Sequence, residues 1–435
     1  MTEAEKLTLD FEWPLQKEDL VPPHTLIQLF KDIRNLLAGR ARGVTLDQTL
    51  VSQLIDIIAC KVYDEVNTPL GKALEFQRLS NESEKDLYKR ICSLFVKVRK
   101  DADLVNLFSN EELSIEPNLL SIIVDKLQPF ELSNAKRDAI GEAFEVFIGS
   151  SIRGNEGQFF TPRNIVELAC AIVNPKNSEY VVDPACGTGG FLLQAIKAIS
   201  EDITIKVIGV DKDIFLSRIA AIQLILMRGN HQAIAVNADS LDTESWPSLL
   251  VQYLELGAID IIITNPPFGS KIGIDADVVK RFDLGHQWKK NRDTERWIKT
   301  DSIAENRPPQ ILFIEHCLNL LKPGGRLAIV LPDGILGNEN QGYVRQYMRD
   351  KADVVAIIDL PIETFLPSTS TKTSLLVLRK KNGLQQKKIF MAIPEKCGHD
   401  RRGKTLYDDN GNFVDDLPEV AVKFRKWSKK HASDF

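Results

Sequence analysis

The segment "NPPF", residues 265–268, comes just after an apolar run from Ile259 to Ile263, with one acid in it, that predicts a buried strand. The Asn265 side-chain oxygen is an acceptor, and two prolines fix the backbone so that the Pro266 carbonyl lacks a strand partner. These two oxygens could hold both protons of an amino group, and Phe268 could stack on a flat ring that carries the amine. The amine would then attack an electrophile, with catalysis by positioning and hydrogen bonding. The predicted catalytic residues are Asn265, Pro266, Pro267 and Phe268, and a rigid turn that ends a strand is the alternative.

A glycine-rich turn precedes this segment in "VVDPACGTGG", residues 181–190. Asp183 ends a predicted strand, and the glycines in the turn into the next helix let the backbone approach a ligand. Leu192 breaks the spacing of a dinucleotide fingerprint, and the Gly-Lys-Ser/Thr of a P-loop is absent, so a phosphate cradle is disfavoured. A carboxylate beside a glycine turn suits a ligand with a cationic amine or hydroxyls. A plain strand-to-helix turn is the alternative.

Two further acids follow the next two predicted strands. Asp211 is placed to accept hydrogen bonds from ribose hydroxyls, and Asp239 could accept from the exocyclic amine of adenine. Each acid alone would be read as a surface or capping carboxylate. Three acids after three successive strands, facing one glycine turn, imply an adenosyl ligand without phosphates, and S-adenosylmethionine fits.

The elements that must position these residues alternate between strand and helix. From about residue 178 to residue 380, short apolar runs alternate with amphipathic helical runs, which predicts an α/β fold with a parallel sheet. Residues 1 to about 150 show helical periodicity instead. The polar segment 269–309 is long for a connection, so it is expected to be functional or mobile.

Composition places the chain among globular proteins. It has 435 residues with 43% hydrophobic and 26% charged residues, which predicts two or three domains, and it has no apolar run long enough for a membrane helix. The N-terminus lacks a secretion signal and the six cysteines are scattered, so we expect a cytoplasmic protein with reduced thiols. Cys397 and His399 are close, but no second ligand pair accompanies them, so no metal site is predicted. A net charge of −5 leaves nucleic-acid binding open, because phosphate binding depends on local patches.

"DPACGTGG" followed by "NPPF" resembles the amino-group methyltransferases that make N6-methyladenine in DNA, in the motif order of the gamma group. "GQFFTPRNIVELA", residues 157–169, resembles the cofactor motif of methylation subunits in type I restriction-modification systems. The helical region before it also resembles the N-terminal region of that family. The resemblance implies a seven-stranded, Rossmann-like S-adenosylmethionine-dependent methyltransferase domain with a last antiparallel strand, preceded by an all-helical domain. The predicted division is a helical domain at 1–145, a methyltransferase domain at 146–385 and a short C-terminal extension at 386–435.

The resemblance also implies roles by position. Residues 158–162 and 188–190 would line the methionine end of the cofactor, and residues 265–268 would hold the target base. The complete predicted cofactor site is Gly157, Gln158, Phe159, Phe160, Thr161, Pro162, Asp183, Ala185, Cys186, Gly187, Thr188, Gly189, Gly190, Asp211, Asp239, Ser240 and Leu241.

A region of adequate size to read a DNA sequence is missing after Lys380, where about fifty residues follow. The resemblance therefore implies DNA and a separate specificity subunit as partners, usually with two methylation subunits to one specificity subunit, and a restriction subunit as a further candidate. Lys289, Lys290 and Arg292 in the long segment could close over a flipped base or touch phosphates, and a solvated loop is the alternative.

Two other functions remain open from the residues. An Asn-Pro-Pro-aromatic motif also serves enzymes that methylate guanine amines in RNA or glutamine amides in protein. A non-catalytic subunit that binds cofactor or DNA is the second alternative, and the intact "NPPF" segment argues against it.

Overall fold

The computed structural model describes residues 14–22, 26–40, 48–100, 108, 112–133, 161–199, 204–227, 232–269, 273–383 and 388–431. The chain divides into two compact units, Met1–Arg153 with Ile214–Gly229, and Gly154–Asp213 with Asn230–Phe435. The helical segment 214–229 thus belongs with the N-terminal unit, although it lies between two strands of the other unit in the sequence.

The helices of the described residues are α1 Leu26–Arg40, α2 Gln48–Asn67, α3 Glu84–Lys100, α4 Pro117–Leu127, α5 Arg163–Val173, α6 Gly190–Lys197, α7 Ile214–Met227, α8 Ser248–Tyr253, α9 Ala276–Val279, α10 Pro309–Leu320, α11 Asp333–Gly337, α12 Gly342–Lys351 and α13 Leu417–Lys430. The strands are β1 Tyr180–Asp183, β2 Lys206–Asp211, β3 Gln232–Asn237, β4 Ile259–Thr264, β5 His286–Lys290, β6 Trp297–Ile303, β7 Leu321–Pro332, β8 Ala352–Asp359, β9 Thr373–Lys380 and β10 Phe390–Ala392. Within the described part of the chain, each helix is too short or too polar to cross a membrane.

The first unit is helical as the periodicity predicts, and its α2 helix buries charged side chains. Lys61 and Glu65 form an ion pair of 3.0 Å with both side chains fully buried. Glu65 also accepts hydrogen bonds from the backbone N–H groups of Leu132 (3.2 Å) and Ser133 (2.7 Å). Because buried charges need such partners, α2 both packs the unit and holds the chain that follows α4.

Helix α7 is held in this unit by Arg218, whose exposed fraction is 1%. Its guanidinium pairs with the Asp56 carboxylate on α2 and donates to the Ser52 hydroxyl at 2.8 Å. The Phe108 ring lies 5.7 Å from the guanidinium carbon. The hydrophobic pattern of α7 predicted a helix correctly, but it did not indicate that α7 belongs with the N-terminal helices.

The second unit is built on an eight-stranded sheet in the order β10-β8-β9-β7-β4-β1-β2-β3. Strand β9 runs antiparallel to β7 and β8, and the other neighbouring pairs are parallel. The predicted seven strands with a last antiparallel strand are therefore confirmed, and β10 adds an eighth strand beside β8.

Parallel pairing places the predicted site residues at one edge of this sheet. The strands carry continuous apolar runs because helices cover both faces, and they form one buried core with α10 and α12. Strand β1 lies between β2 and β4, with Asp183 opposite Gly209 and Val182 opposite Ile262. The strands β1, β2, β3 and β4 thus end side by side at Asp183, Asp211, Asn237 and Thr264.

The long polar segment after β4 forms the antiparallel hairpin β5–β6. The hairpin lies along α12, where the Gln346 side chain bonds both backbone groups of Trp297, accepting at 2.9 Å and donating at 2.8 Å. Trp288 and Trp297 also pack on the Tyr343 ring at centroid distances of 6.0 and 5.9 Å. Arg296 reaches Asp350 at 2.7 Å, near the C-terminal end of the helix.

This placement changes the expectation for the basic residues of the segment. The hairpin turn points along α12 toward the end that leads into β8, away from the carboxyl ends of the parallel strands. Lys289, Lys290 and Arg292 are exposed near that turn, and Lys290 pairs with Glu295. The structure therefore gives no support to the hypothesis that these three residues close over a base at the sheet edge.

The C-terminal extension belongs to the same unit as the sheet. Phe390 of β10 packs on Phe424 and Trp427 of α13, with ring centroids at 5.3 and 5.6 Å. Cys397 Sγ lies 3.9 Å from His399 Nε2, and the described residues contain no group of three metal-ligating side chains.

Candidate functional site

The glycine turn between β1 and α6 lies directly against β2. Gly187 and Gly189 have φ of 53° and 90°, in the left-handed region that favours glycine. A β-carbon added at Gly209 of β2 would stand 2.8 Å from Cys186 Sγ and 2.9 Å from a Leu192 methyl carbon. Gly209 is therefore required for the glycine turn to lie this close to β2. The glycine can be seen in "VIGVD", but the sequence does not show which residues pack against it.

Asp183 is fully buried at the end of β1. Its Oδ1 accepts from the Ala185 backbone N–H at 3.0 Å. Burial raises the pKa of this carboxyl to about 7, while the neighbouring Thr264 hydroxyl and the Ala185 amide act in the opposite direction. Among the described residues, Oδ2 of Asp183 and the Thr264 hydroxyl have no well-aligned hydrogen bond. The buried Asp183 carboxylate has lone pairs left to accept from a cationic or hydroxyl-bearing ligand.

Asp211 connects β2 to the glycine turn. Its Oδ2 accepts from the Gly187 backbone N–H at 2.8 Å, and its Oδ1 accepts from the Asp213 N–H at 2.9 Å. Burial raises the pKa of Asp211 to about 6. Each carboxylate oxygen has a second lone pair, so the carboxylate can hold the turn and still accept from ribose hydroxyls.

The loop after β3 carries the third acid. Asp239 is exposed, its Oδ1 accepts from the Leu241 N–H at 2.9 Å, and its carbonyl accepts from the Trp246 indole N–H at 3.1 Å. Ser240 is buried and donates to the Pro184 carbonyl at 2.5 Å. The structure thus ties this loop to the glycine turn, as a shared cofactor site requires.

An apolar cluster beneath these loops was not foreseen. Leu241 and Ala185, both in the predicted cofactor set, pack with residues that follow the "NPPF" segment and with α10. The members from that later part of the chain are Ile274, Val278, Val279, Phe282, Leu312 and Phe313.

The buried His316 of α10 is edge-on to the Trp246 ring at 5.9 Å. Burial lowers its pKa to about 4, so the imidazole is neutral near pH 7. The sequence shows that α10 has an apolar face, but the pattern does not indicate which residues that face contacts.

The "NPPF" residues follow β4 at the same edge. The Asn265 Nδ2–H₂ donates to the Thr161 hydroxyl oxygen at 3.0 Å. Its Oδ1 is buried and has no hydrogen-bond partner among the described residues. Pro266 is buried, and Phe268 has an exposed fraction of 8%. Buried acceptors in folded proteins usually have a partner, so this atom is a candidate to accept a hydrogen bond from a ligand.

Two contacts of this segment were missed from the sequence. Gln310 of α10 accepts from the Gly269 N–H at 3.4 Å, so α10 lies behind the turn after Phe268. Thr161, predicted as a cofactor residue, contacts Asn265 across 104 residues of sequence.

The remaining predicted residues are distributed as follows. Thr188 is buried in the glycine turn, Gly190 begins α6, and Pro162 directly precedes α5. Four predicted cofactor residues lie outside the described residues: Gly157, Gln158, Phe159 and Phe160.

Comparison with known proteins adds to this geometry. A family model described as N-6 DNA Methylase matches residues 135–430. The chain is 28% identical over 395 residues to the type I restriction enzyme MpnII methylase subunit of Mycoplasma pneumoniae, which covers 88% of this chain and 66% of that protein. The matched regions span about half to two thirds of the length of the curated relatives.

The fold is similar to two solved structures. One is the type I restriction-modification methyltransferase subunit from Streptococcus thermophilus, with a TM-score of 0.61, 17% identity, and coverage of 95% of this chain and 94% of that one. The other is described as a class I S-adenosylmethionine-dependent methyltransferase from Listeria monocytogenes, with a TM-score of 0.53, 20% identity, and coverage of 88% and 99%. At these identities the likeness concerns the fold, and it confirms the predicted fold class.

Proposed function

Because the chain belongs to the N-6 DNA methylase family, we propose that it methylates the N6 amine of adenine in DNA, in the cytoplasm, as the methylation subunit of a type I restriction-modification system. The observation that carries the proposal is the Asn265 amide at the end of β4. Its Nδ2 is held by Thr161, and its buried Oδ1 lacks a partner among the described residues. An amine that enters the site would supply the missing donor.

The cofactor of the proposed reaction is S-adenosylmethionine, which supplies an electrophilic methyl group when bound. The chain offers a glycine turn in which Gly187 and Gly189 have left-handed φ values, the buried Asp183 carboxylate, Asp211 at the end of β2, and Asp239 in the loop after β3. The carboxylates of Asp183, Asp211 and Asp239 suit an amine, ribose hydroxyls and an adenine amine, in that order. The glycine turn lacks the sequence of a phosphate cradle.

In the proposed mechanism the target adenine leaves the duplex, at a cost of a few kcal/mol, and Phe268 stacks on it. Asn265 Oδ1 and the Pro266 carbonyl would accept hydrogen bonds from the two N6–H groups, which would orient the nitrogen lone pair for attack. Both oxygens would stabilise the positive charge that develops on the nitrogen, and the proton that the methylated nitrogen loses would pass to solvent. No strong base is required beforehand.

The partners of this reaction are part of the proposal. The curated relative from Mycoplasma pneumoniae is described as a subunit of a type I restriction enzyme, which supports a multisubunit complex. We propose that a separate specificity subunit selects the DNA site, with two methylation subunits to one specificity subunit, and that a restriction subunit can join them.

The direct test is methylation by the chain purified with its specificity subunit. Labelled S-adenosylmethionine is incubated with DNA, RNA and protein in parallel, and the digests are analysed by mass spectrometry. We expect N6-methyladenine in DNA. Methylated guanine in RNA, methylated glutamine in protein, or no product at all would contradict the proposal.

The raised pKa values predict a pH dependence of cofactor binding. Burial holds the carboxyls of Asp183 and Asp211 at pKa values of about 7 and about 6, so each loses its negative charge as pH falls through these values. A cofactor with net positive charge binds the ionised form, so its affinity should rise about tenfold from about pH 5.5 to about pH 7.5. Binding near pH 6.5 should also release protons.

Isothermal titration calorimetry in buffers of different ionisation enthalpy measures both quantities. The Asp183→Asn variant is the control, because it lacks the higher of the two titrations. A dissociation constant that stays constant over this pH range would exclude a role for these carboxylates in holding the cofactor.

A further inference from the structure

We propose that Thr161 is a positioning residue that holds the side-chain amide of Asn265 in place, an inference that rests on the proposed function. Thr161 precedes α5 and was predicted to line the cofactor. In the structure its hydroxyl oxygen lies 3.0 Å from Asn265 Nδ2 and accepts a hydrogen bond from it.

The orientation of this amide decides whether the site works. An asparagine side chain has an acceptor end and a donor end of nearly the same shape. If the amide were reversed, Nδ2–H₂ would face the target amine, and two donors cannot hydrogen bond to each other. Only the observed orientation presents Oδ1 to the N6 protons. In this orientation Thr161 Oγ1 accepts a hydrogen bond from Nδ2, which holds the side chain in place.

Hydrogen bonds hold the segment that carries Thr161. The next helix begins with the Ile165 N–H donating to the Pro162 carbonyl at 3.0 Å. Asn164 Nδ2 donates to the Cys397 carbonyl at 2.9 Å and to Asp415 Oδ2 at 3.1 Å. The C-terminal extension thereby holds the segment that carries Thr161, and a rigid support is what a positioning group requires.

The competing interpretation is that Thr161 only binds the cofactor. The two roles affect different kinetic quantities. Replacing a residue that binds the cofactor lowers the affinity for S-adenosylmethionine, and saturating cofactor restores the rate. Replacing a residue that positions Asn265 lowers the rate of the chemical step at saturating cofactor, with little change in cofactor affinity.

The experiment compares single-turnover methylation of DNA by the complex carrying wild-type chain, Thr161→Val or Thr161→Ser. Valine keeps the shape but has no acceptor, whereas serine keeps the hydroxyl. At saturating cofactor, Thr161→Val should be about 30-fold slower, and Thr161→Ser should stay within about threefold of wild type. The dissociation constant for S-adenosylmethionine should change by less than about twofold in both. Thr294→Val, an exposed threonine in the hairpin turn, is the matched control.

The outcomes separate the inference from the function it rests on. If wild type methylates DNA and Thr161→Val reaches the same rate at saturating cofactor, the positioning role is wrong, whether or not cofactor affinity falls. A wild-type complex that transfers no methyl group to DNA would instead overturn the proposed function. If Thr161→Val does not fold, as judged by thermal unfolding, Thr161→Ala answers the same question, since it removes the hydroxyl and adds no bulk.

Discussion

The Asn265→Ala variant is expected to transfer methyl groups to DNA about 10³-fold more slowly than wild type, with the affinity for S-adenosylmethionine within about twofold. The substitution removes the buried Oδ1 that lacks a partner among the described residues. Without it, the Pro266 carbonyl alone holds the amine, so the amine is oriented less well and the positive charge that develops on it is less stabilised. Because Asn265 lies at the end of β4 and is not part of the core, the fold should be retained.

Single-turnover kinetics with the complete complex measures this rate, and calorimetry measures cofactor binding. Asn410→Ala is the matched control, since Asn410 is exposed in a turn of the C-terminal extension. Near-normal methylation by Asn265→Ala would contradict the catalytic assignment. Loss of both methylation and cofactor binding would instead indicate a structural role for Asn265.

Replacing Asp56 with alanine should destabilise the N-terminal unit by about 3–5 kcal/mol, because it leaves the Arg218 guanidinium charged and buried without its carboxylate. The exposed fractions of the two side chains are 2% and 0%, so water cannot replace the missing partner. The two remaining hydrogen bonds from Arg218, to the Ser52 hydroxyl and to the Ser52 carbonyl, do not neutralise the charge.

Hydrogen exchange of the α2 and α7 amides measures this loss by local unfolding. The Lys89→Ala variant is the control, because it removes an exposed ion pair with Asp86 at 3.6 Å and should cost less than about 1 kcal/mol. Combining Asp56→Leu with Arg218→Met should recover most of the protection, since neither charge is then buried alone. Equal protection in Asp56→Ala and wild type would show that this ion pair does not hold α7.

Local sequence patterns predict the strands and helices of the second unit, and they predict where the site lies on them. Apolar runs of strand length identified β1, β2, β3 and β4, and parallel pairing of such strands brings their carboxyl ends together. Asp183 and Asp211 are the last residues of β1 and β2, and the "NPPF" segment follows β4. Their order in the sequence therefore predicts that they lie together at the carboxyl ends of the strands. These predictions succeed because periodicity and chain order are local properties.

Contacts between segments that are distant in the sequence could not be predicted in this way and are known from the structure. Arg218 and Asp56 are 162 residues apart, and nothing in the pattern of α7 indicates that a buried carboxylate on α2 faces it. The same holds for the hairpin β5–β6, whose polar composition suggested a mobile segment until α12 supplied an aromatic ring and a side-chain amide to hold it.

Thr161 and Asn265 show the same division within the site. Each residue type indicates a polar role, but a hydrogen bond of 3.0 Å across 104 residues depends on how the start of α5 packs beside the end of β4. Such a partner holds the amide side chain in place. The chemistry available to Asn265 follows from its type and position, and the orientation of that chemistry follows from packing.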